Sequence, residues 1–286
     1  MHLDYRGGNA LNTINIALAQ IDCKVGDKDY NIGNIEQKVK DAGRQGANIV
    51  VFPELTLTGY SIRDLAYELA EPIPGPSVNR LVGIAKKERM YVVCGMPERS
   101  GRAQAVLYNT AMLLGPEGYI GKYQKMYLPT HSIFEEKRYF RPGNRTPVFQ
   151  TSIGKVGLLV CYDIFFPEVS RILRLKGAQL IICISASPSR RRRFFEVLTT
   201  ARAIENTAFL AYVNLVGVED GLQFWGGSRL IAPNGTILAQ ARYDEEDLAV
   251  VSIDLADLKR TEIFVPTLRD LRPELYESLR EETKNL

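Results

Sequence analysis

The stretch from Val156 to Glu168, VGLLVCYDIFFPE, places Cys161 where an apolar run gives way to polar and turn-forming residues. A thiol with an ordinary pKa of about 8.5 is mostly protonated at neutral pH, so a cysteine nucleophile needs a base, a positive neighbour or both. Histidine is the usual partner, yet the chain has only two: His2 near its start, and His131 in a Pro-Thr-His-Ser turn with no obvious orienting carboxylate. A Cys/His pair is therefore not expected, and a carboxylate base assisted by a cation remains. Glu54 follows the run IVVFP, where Phe-Pro closes a strand and turns the glutamate out at its C-terminal end; Cys161 follows VGLLV in the same way. Ligand sites in α/β sheets lie beyond the carboxyl ends of strands, so both residues should face a crevice. The segment GKYQKMYLP supplies two candidate cations, Lys122 and Lys125.

The elements that would position these groups are short β-branched runs bounded by turn residues, alternating with amphipathic segments. Strands are expected at Ile14–Ala19, Ile49–Phe52, Tyr91–Gly95, Leu107–Leu114, Val156–Cys161, Leu180–Ser185, Ala208–Leu215, Ser228–Ala232 and Ala249–Ile253. Helices are expected at Asn31–Gln45, Ser77–Glu88, Phe166–Lys176, Phe194–Asn206 and Arg272–Thr283. Two pieces of chain resemble each other: a helix ending at Gly46 before ANIVVFPE, and one ending at Gly177 before AQLIICIS. Each reads as a helix, a glycine C-cap and a buried strand, which suggests two similar α/β halves packed face to face. No Pro/Gly/Ser linker separates them, so residues 1–286 are expected to form a single domain.

Composition narrows the partners. The 36 basic residues nearly balance the 33 acidic ones, which argues against nucleic acid or an anionic membrane as the main partner. No apolar run approaches the roughly 18 to 20 residues of a spanning helix, and the start lacks a basic region followed by an apolar stretch, so no membrane span and no secretory signal are expected. Cys23, Cys94, Cys161 and Cys183 stand far apart, without a CxxC pair or neighbouring histidines. Neither a metal site nor a disulfide scaffold is expected, and a reducing cytoplasm is the simplest setting. Cys23, Cys94 and Cys183 read as small core hydrophobes.

FPELTLTGY (Phe52 to Tyr60), KYQKMYLP (Lys122 to Pro129) and VCYDIFFPE (Val160 to Glu168), in that order, resemble the three signature segments of the nitrilase or carbon-nitrogen hydrolase superfamily. The resemblance extends to Phe134–Gly143, Tyr212–Asn214, Trp225–Ser228 and the turn Pro233–Gly235. It implies a four-layer α-β-β-α sandwich, with Glu54 as general base and Cys161 as nucleophile. It selects Lys125 over Lys122, because the family lysine is followed after two residues by Leu or Ile and often Pro. Glu136 matches a second glutamate that orients the lysine or the substrate, although it also fits a solvated run, Glu135 to Arg138. The implied reaction is acyl transfer: a thiolate attacks an amide carbon, Lys125 and the backbone N–H of Tyr162 stabilise the oxyanion, and water hydrolyses the thioester. It implies no cofactor. Tyr60, Phe165 and Ser187 are the expected substrate-binding residues.

FPELTLTGYSIRDL and YVNLVGVEDGLQFWGGS look similar to the glutaminase-like branch, the amidase domain of glutamine-dependent NAD synthetase, but no Ser-Gly-Gly-x-Asp-Ser synthetase loop occurs up to Leu286. The resulting expectation is an amidase for a small linear amide or N-carbamoyl compound. The alternatives are a nitrilase, a glutaminase-type subunit delivering ammonia to a partner synthetase, or a binding protein that has lost turnover. The run Arg190 to Arg193 follows the strand LIICIS and should reach the crevice rim, where one guanidinium could hold a carboxylate on the substrate. Residues 264–286 are expected to form an arm that reaches a neighbour in a homodimer or larger homo-oligomer.

Overall fold

The computed structural model describes residues 13–285, so His2 lies outside the described residues. Two six-stranded sheets carry the fold. In the first, β1 (Thr13–Gln20), β2 (Ile49–Val51) and β3 (Tyr91–Arg99) run parallel, flanked by antiparallel β4 (Leu107–Gly115) and β5 (Gly118–Gln124) on one side and β14 (Asp247–Asp254) on the other. In the second, β7 (Gly154–Val160), β8 (Leu180–Ser185) and β9 (Phe209–Asn214) are parallel, with β6 (Val148–Thr151) antiparallel at one edge and β12 (Arg229–Ile231) and β13 (Ile237–Gln240) at the other. The parallel strands are buried on both faces, which is why they read as near-continuous apolar runs.

Alternation along each strand sorts residues between two cores. From β1, Ile14, Ile16 and Leu18 meet Leu158, Val160 and Ile182 of the second sheet. Ala17 and Ala19 point the other way, onto Ile35 and Val39 of α1 (Lys28–Arg44) and Leu81 of α3 (Pro76–Glu88). On the far side, Val169 and Leu173 of α5 (Pro167–Leu175) and Phe195 and Ala203 of α6 (Arg192–Asn206) cover the second sheet. Helix, sheet, sheet, helix is the expected four-layer sandwich. The two similar halves are also present: α1 and α5 each end at a glycine in the left-handed region, Gly46 (φ +76) and Gly177 (φ +96), directly before β2 and β8.

Several elements depart from expectation. Strands β5, β6 and β13, the hairpin of β10 (Val216–Glu219) and β11 (Leu222–Trp225), and helix α7 (Ala256–Phe264) were not anticipated. Two short helices, α2 (Ala66–Leu69) and α4 (Glu136–Tyr139), lie in the loops above the strand ends. The strand expected to include Cys161 stops at Val160. Beyond α7, helix α8 (Pro273–Thr283) has no buried residue.

Candidate active site

Both parallel strands that were expected to end at chemistry end in a bent backbone. Leu55, directly after Glu54, has φ +50, and Cys161, directly after β7, has φ +47. Left-handed backbone at residues bearing a Cβ costs on the order of 1–3 kcal/mol and persists only where the surroundings hold it. Here it turns the chain sharply, so that Cys161 opens a 3₁₀ turn, Cys161–Phe165, rather than continuing the strand. Gly95 of β3 makes the approach on the Glu54 side possible: a Cβ there would sit 2.3 Å from the Leu55 backbone nitrogen.

Lys125 follows β5, and its backbone N–H donates to the Asn109 carbonyl at 2.9 Å. Its side chain is fully buried, and its Nζ donates 2.7 Å hydrogen bonds to both Glu54 Oε1 and Glu136 Oε1. Glu54 Oε1 also accepts from Asn109 Nδ2 at 2.7 Å, and Oε2 from the Ala186 backbone N–H at 2.8 Å. Glu136 Oε1 further accepts from the Tyr60 hydroxyl at 2.8 Å, while its Oε2 is buried without a partner. One buried cation thus serves two buried carboxylates.

The electrostatics follow from that count. Burial, with the Glu54 carboxylate close by, pushes Glu136 up to about 7 against the pull of Lys125. Burial disfavours the Lys125 ammonium, but the surrounding carboxylates outweigh it and hold the pKa well above the ordinary lysine value. Burial and the nearby Glu54 charge raise the Cys161 thiol well above its ordinary value, partly opposed by Lys125. A thiol raised in this way near a carboxylate suits proton transfer at the moment of attack better than a preformed thiolate.

The expected substrate-binding residues gather around this cluster. Phe165 and Ser187 line the narrow cavity of about 20 Å³ that reaches Cys161, together with His131, Phe134, Tyr162 and Arg191. Tyr60 instead lines a larger hollow of about 450 Å³, which shares Phe134 with the first and also touches Glu136. His131 packs against the rings of Phe134 and Tyr162 and forms no Cys/His pair. Lys122 is drawn away to Glu98, whereas Lys125 meets Glu54 and Glu136. Within the arginine run, Arg192 is committed to Glu196 at 3.0 Å and to the face of Tyr243, whereas Arg191 faces the cavity. Cys23, Cys94 and Cys183 are buried in apolar surroundings, as expected. Among the described residues, no group of three or more His, Cys, Asp or Glu side chains could hold a metal ion, and no helix is long and apolar enough to cross a membrane.

Three polar residues went unrecognised in the sequence. Asn109 supports both Glu54 and the Lys125 backbone. Asn214 holds Ser187, accepting from its N–H at 2.7 Å and donating to its carbonyl at 3.2 Å. Asp163, two residues beyond the cysteine, is fully buried and accepts four hydrogen bonds. For Asn214 and Asp163 a signal was present, the Tyr-Val-Asn segment and the signature segment VCYDIFFPE; Asn109 carries none beyond being polar in apolar surroundings.

Comparison with known proteins bears on the family and the fold. The carbon-nitrogen hydrolase family profile matches residues 15–262. A nitrilase of Pyrococcus abyssi is 36% identical over 92% of this chain and 99% of its own length. The glutamine-dependent NAD(+) synthetase of Aquifex aeolicus is 35% identical over 88% of this chain but only 44% of its own length. An amidase variant from Nesterenkonia sp. AN1, with the acetamide moiety of fluoroacetamide added covalently at its active-site cysteine, superposes with a TM-score of 0.82 at 31% identity, covering 97% of this chain and 99% of that one. Carrying a matching profile over most of its length, and with the two-sheet architecture of such amidases, the chain belongs to the carbon-nitrogen hydrolase family.

Proposed function

We propose that this hydrolase cleaves the carbon-nitrogen bond of a small linear amide or N-carbamoyl compound, with Cys161 as nucleophile, Glu54 as general base and acid, and Lys125 as oxyanion donor. The observation that carries this reading is the buried Lys125 ammonium, bonded at 2.7 Å to Glu54 and Glu136, whose charge partly opposes the rise that burial and Glu54 impose on the Cys161 thiol. Glu54 takes the thiol proton as sulfur attacks the carbonyl carbon; Lys125 and the Tyr162 N–H, at the turn after the nucleophile, stabilise the resulting oxyanion. Collapse expels ammonia or amine, protonated by Glu54, and leaves a thioester. Glu54 then removes a proton from water, which attacks the thioester and releases the acid. Glu136 keeps Lys125 aimed between the two carboxylates.

The narrow opening at Cys161 favours a slender acyl chain, and Phe165 and Phe134 offer it apolar walls. Arg191, on the same wall, suits a substrate with a carboxylate at its far end, since a guanidinium binds such a group bidentately. The similarity to an NAD(+) synthetase supports a second reading, in which the released ammonia passes to a partner synthetase. Helix α8, which buries nothing of its own and exposes Leu275, Tyr276 and Leu279, suits an arm docking on a second copy.

The test is an ammonia-release screen over propionamide, glutamine, the monoamides of dicarboxylic acids, N-carbamoyl amino acids and propionitrile, with Cys161→Ala as the blank. The expected result is turnover of one amide or carbamoyl class and none by the blank; equal ammonia from the blank would remove Cys161 from the mechanism. Turnover of propionitrile alone would make the enzyme a nitrilase. Arg191→Ala should raise KM for carboxylate-bearing substrates only. An unchanged KM would discard the carboxylate anchor.

A further inference from the structure

Cys161 and Lys125 come from different sheets: Cys161 follows β7 of the second and Lys125 follows β5 of the first. Apolar packing between two sheets is non-directional, so burial alone does not orient a thiol toward an ammonium. A polar tie across the seam can. Asp163 provides it: its Oδ2 accepts from the Val160 backbone N–H at 3.1 Å, directly before the nucleophile, and from the Tyr123 hydroxyl of β5 at 2.8 Å. Its Oδ1 accepts from the backbone N–H groups of Met126 at 3.2 Å and Tyr127 at 2.9 Å, the two residues directly after Lys125.

We propose that Asp163 is a positioning residue for the reaction, a single carboxylate that locks the nucleophile turn to the lysine segment. The Val160 contact closes the turn on itself and holds Cys161 in its left-handed backbone conformation, with the Tyr162 amide at the bend. The Met126 and Tyr127 contacts bring the backbone beside Lys125 to the same carboxylate. Four donors converge on Asp163 from both sheets, and only a carboxylate accepts from all of them, since it presents two oxygens and no proton. An asparagine of the same shape would turn an N–H group onto one pair of donors and open the tie on that side. The consequence falls on catalysis rather than on substrate binding, because Asp163 does not line the cavity that reaches Cys161.

This inference rests on the roles proposed for Cys161 and Lys125. Asp163→Asn is compared with the native enzyme in two measurements: the rate of Cys161 alkylation by iodoacetamide, and kcat per alkylatable Cys161 with KM for the best amide of the screen. A misplacement of about 1 Å in a reacting group costs about 100-fold in rate. The expected result is therefore kcat per titrated site lower by about 100-fold, with KM within about threefold. A merely structural role would lower the melting temperature or the titratable fraction while leaving kcat per titrated site unchanged, and that result would overturn the inference. Should Asp163→Asn not fold, Tyr123→Phe removes one donor while keeping the ring; it should lower kcat with KM preserved, and an unchanged kcat would overturn the inference equally. Cys161→Ala separates the two levels: activity surviving in that variant refutes the proposed nucleophile, not the tie.

Discussion

Replacing Lys125 by methionine tests the charge logic of the site more sharply than loss of activity alone. Methionine fills much the same volume and is apolar, so the substitution removes the cation without opening a large cavity. Lys125 is fully buried and bonded to two carboxylates, each almost or wholly withdrawn from solvent. Removing one partner of a buried ion pair costs about 3–5 kcal/mol, because the opposite charge is left uncompensated. At about 2–4 °C per kcal/mol, a protein of this size should lose roughly 6–20 °C in melting temperature at pH 8. The deficit should depend on pH in a stated direction. Glu136 is already pushed up to about 7, and without Lys125 it must go higher. A carboxyl whose folded pKa exceeds its unfolded value holds a proton that the unfolded chain has lost, so its effect on stability worsens as pH rises between the two values. At pH 5.5 Glu136 sheds its charge by protonation, and the gap between variant and native protein should shrink. Calorimetry at the two pH values measures it, alongside ammonia release, which should fall at least 100-fold at either pH. An equal deficit at both pH values would refute the reasoning, since it would mean that the methionine packs badly rather than that charge is left unpaired.

Two further outcomes follow from the same cluster. Glu136→Gln keeps an acceptor for Tyr60 and Lys125 but cannot ionise; native kcat/KM should fall as pH drops through about 7, where Glu136 takes up its proton, and the variant should be slower and lack that step in its pH profile. Gly95→Ala places a Cβ 2.3 Å from the Leu55 nitrogen and about 3 Å from the Glu54 backbone, so the base must move; kcat should fall by about 100-fold, as for a misplacement near 1 Å, with KM little changed.

The parts of this molecule that could be read in advance are those whose signal is local. The six parallel strands are buried on both faces, and continuous apolar runs such as IVV and LIICIS declare that without help from neighbours. Edge strands carry no such run: β5 reads GYIGKYQ and β6 reads VFQT, and each takes its strand geometry from the partner it pairs with rather than from its own composition. The hairpin of β10 and β11 did carry a local mark, the Asp220-Gly221 pair between alternating residues, which is a strong short-range hairpin signal.

The site divides along the same line. Glu54 and Cys161 could be placed because each ends a buried strand; the left-handed backbone at Cys161 could not, since nothing in CYDIF forbids a continuing strand. What surrounds the bend comes from afar: Asp163 accepts from residues 36 and 37 positions away along the chain, and Asn109 donates to one 55 positions away. The first contacts exist only once both sheets have packed, the second only once the first sheet has formed. The same holds for the electrostatics: Lys125 and Glu136 are an ordinary solvated lysine and glutamate by type, and become a buried cluster once the fold brings them together with Glu54, which follows β2 of the sheet that also carries β5. A sequence can therefore announce that a thiol, a carboxylate and an amine are present at strand ends, while the distance between them, on which reactivity depends, is set by polar ties drawn from residues that look unremarkable until the fold brings them together.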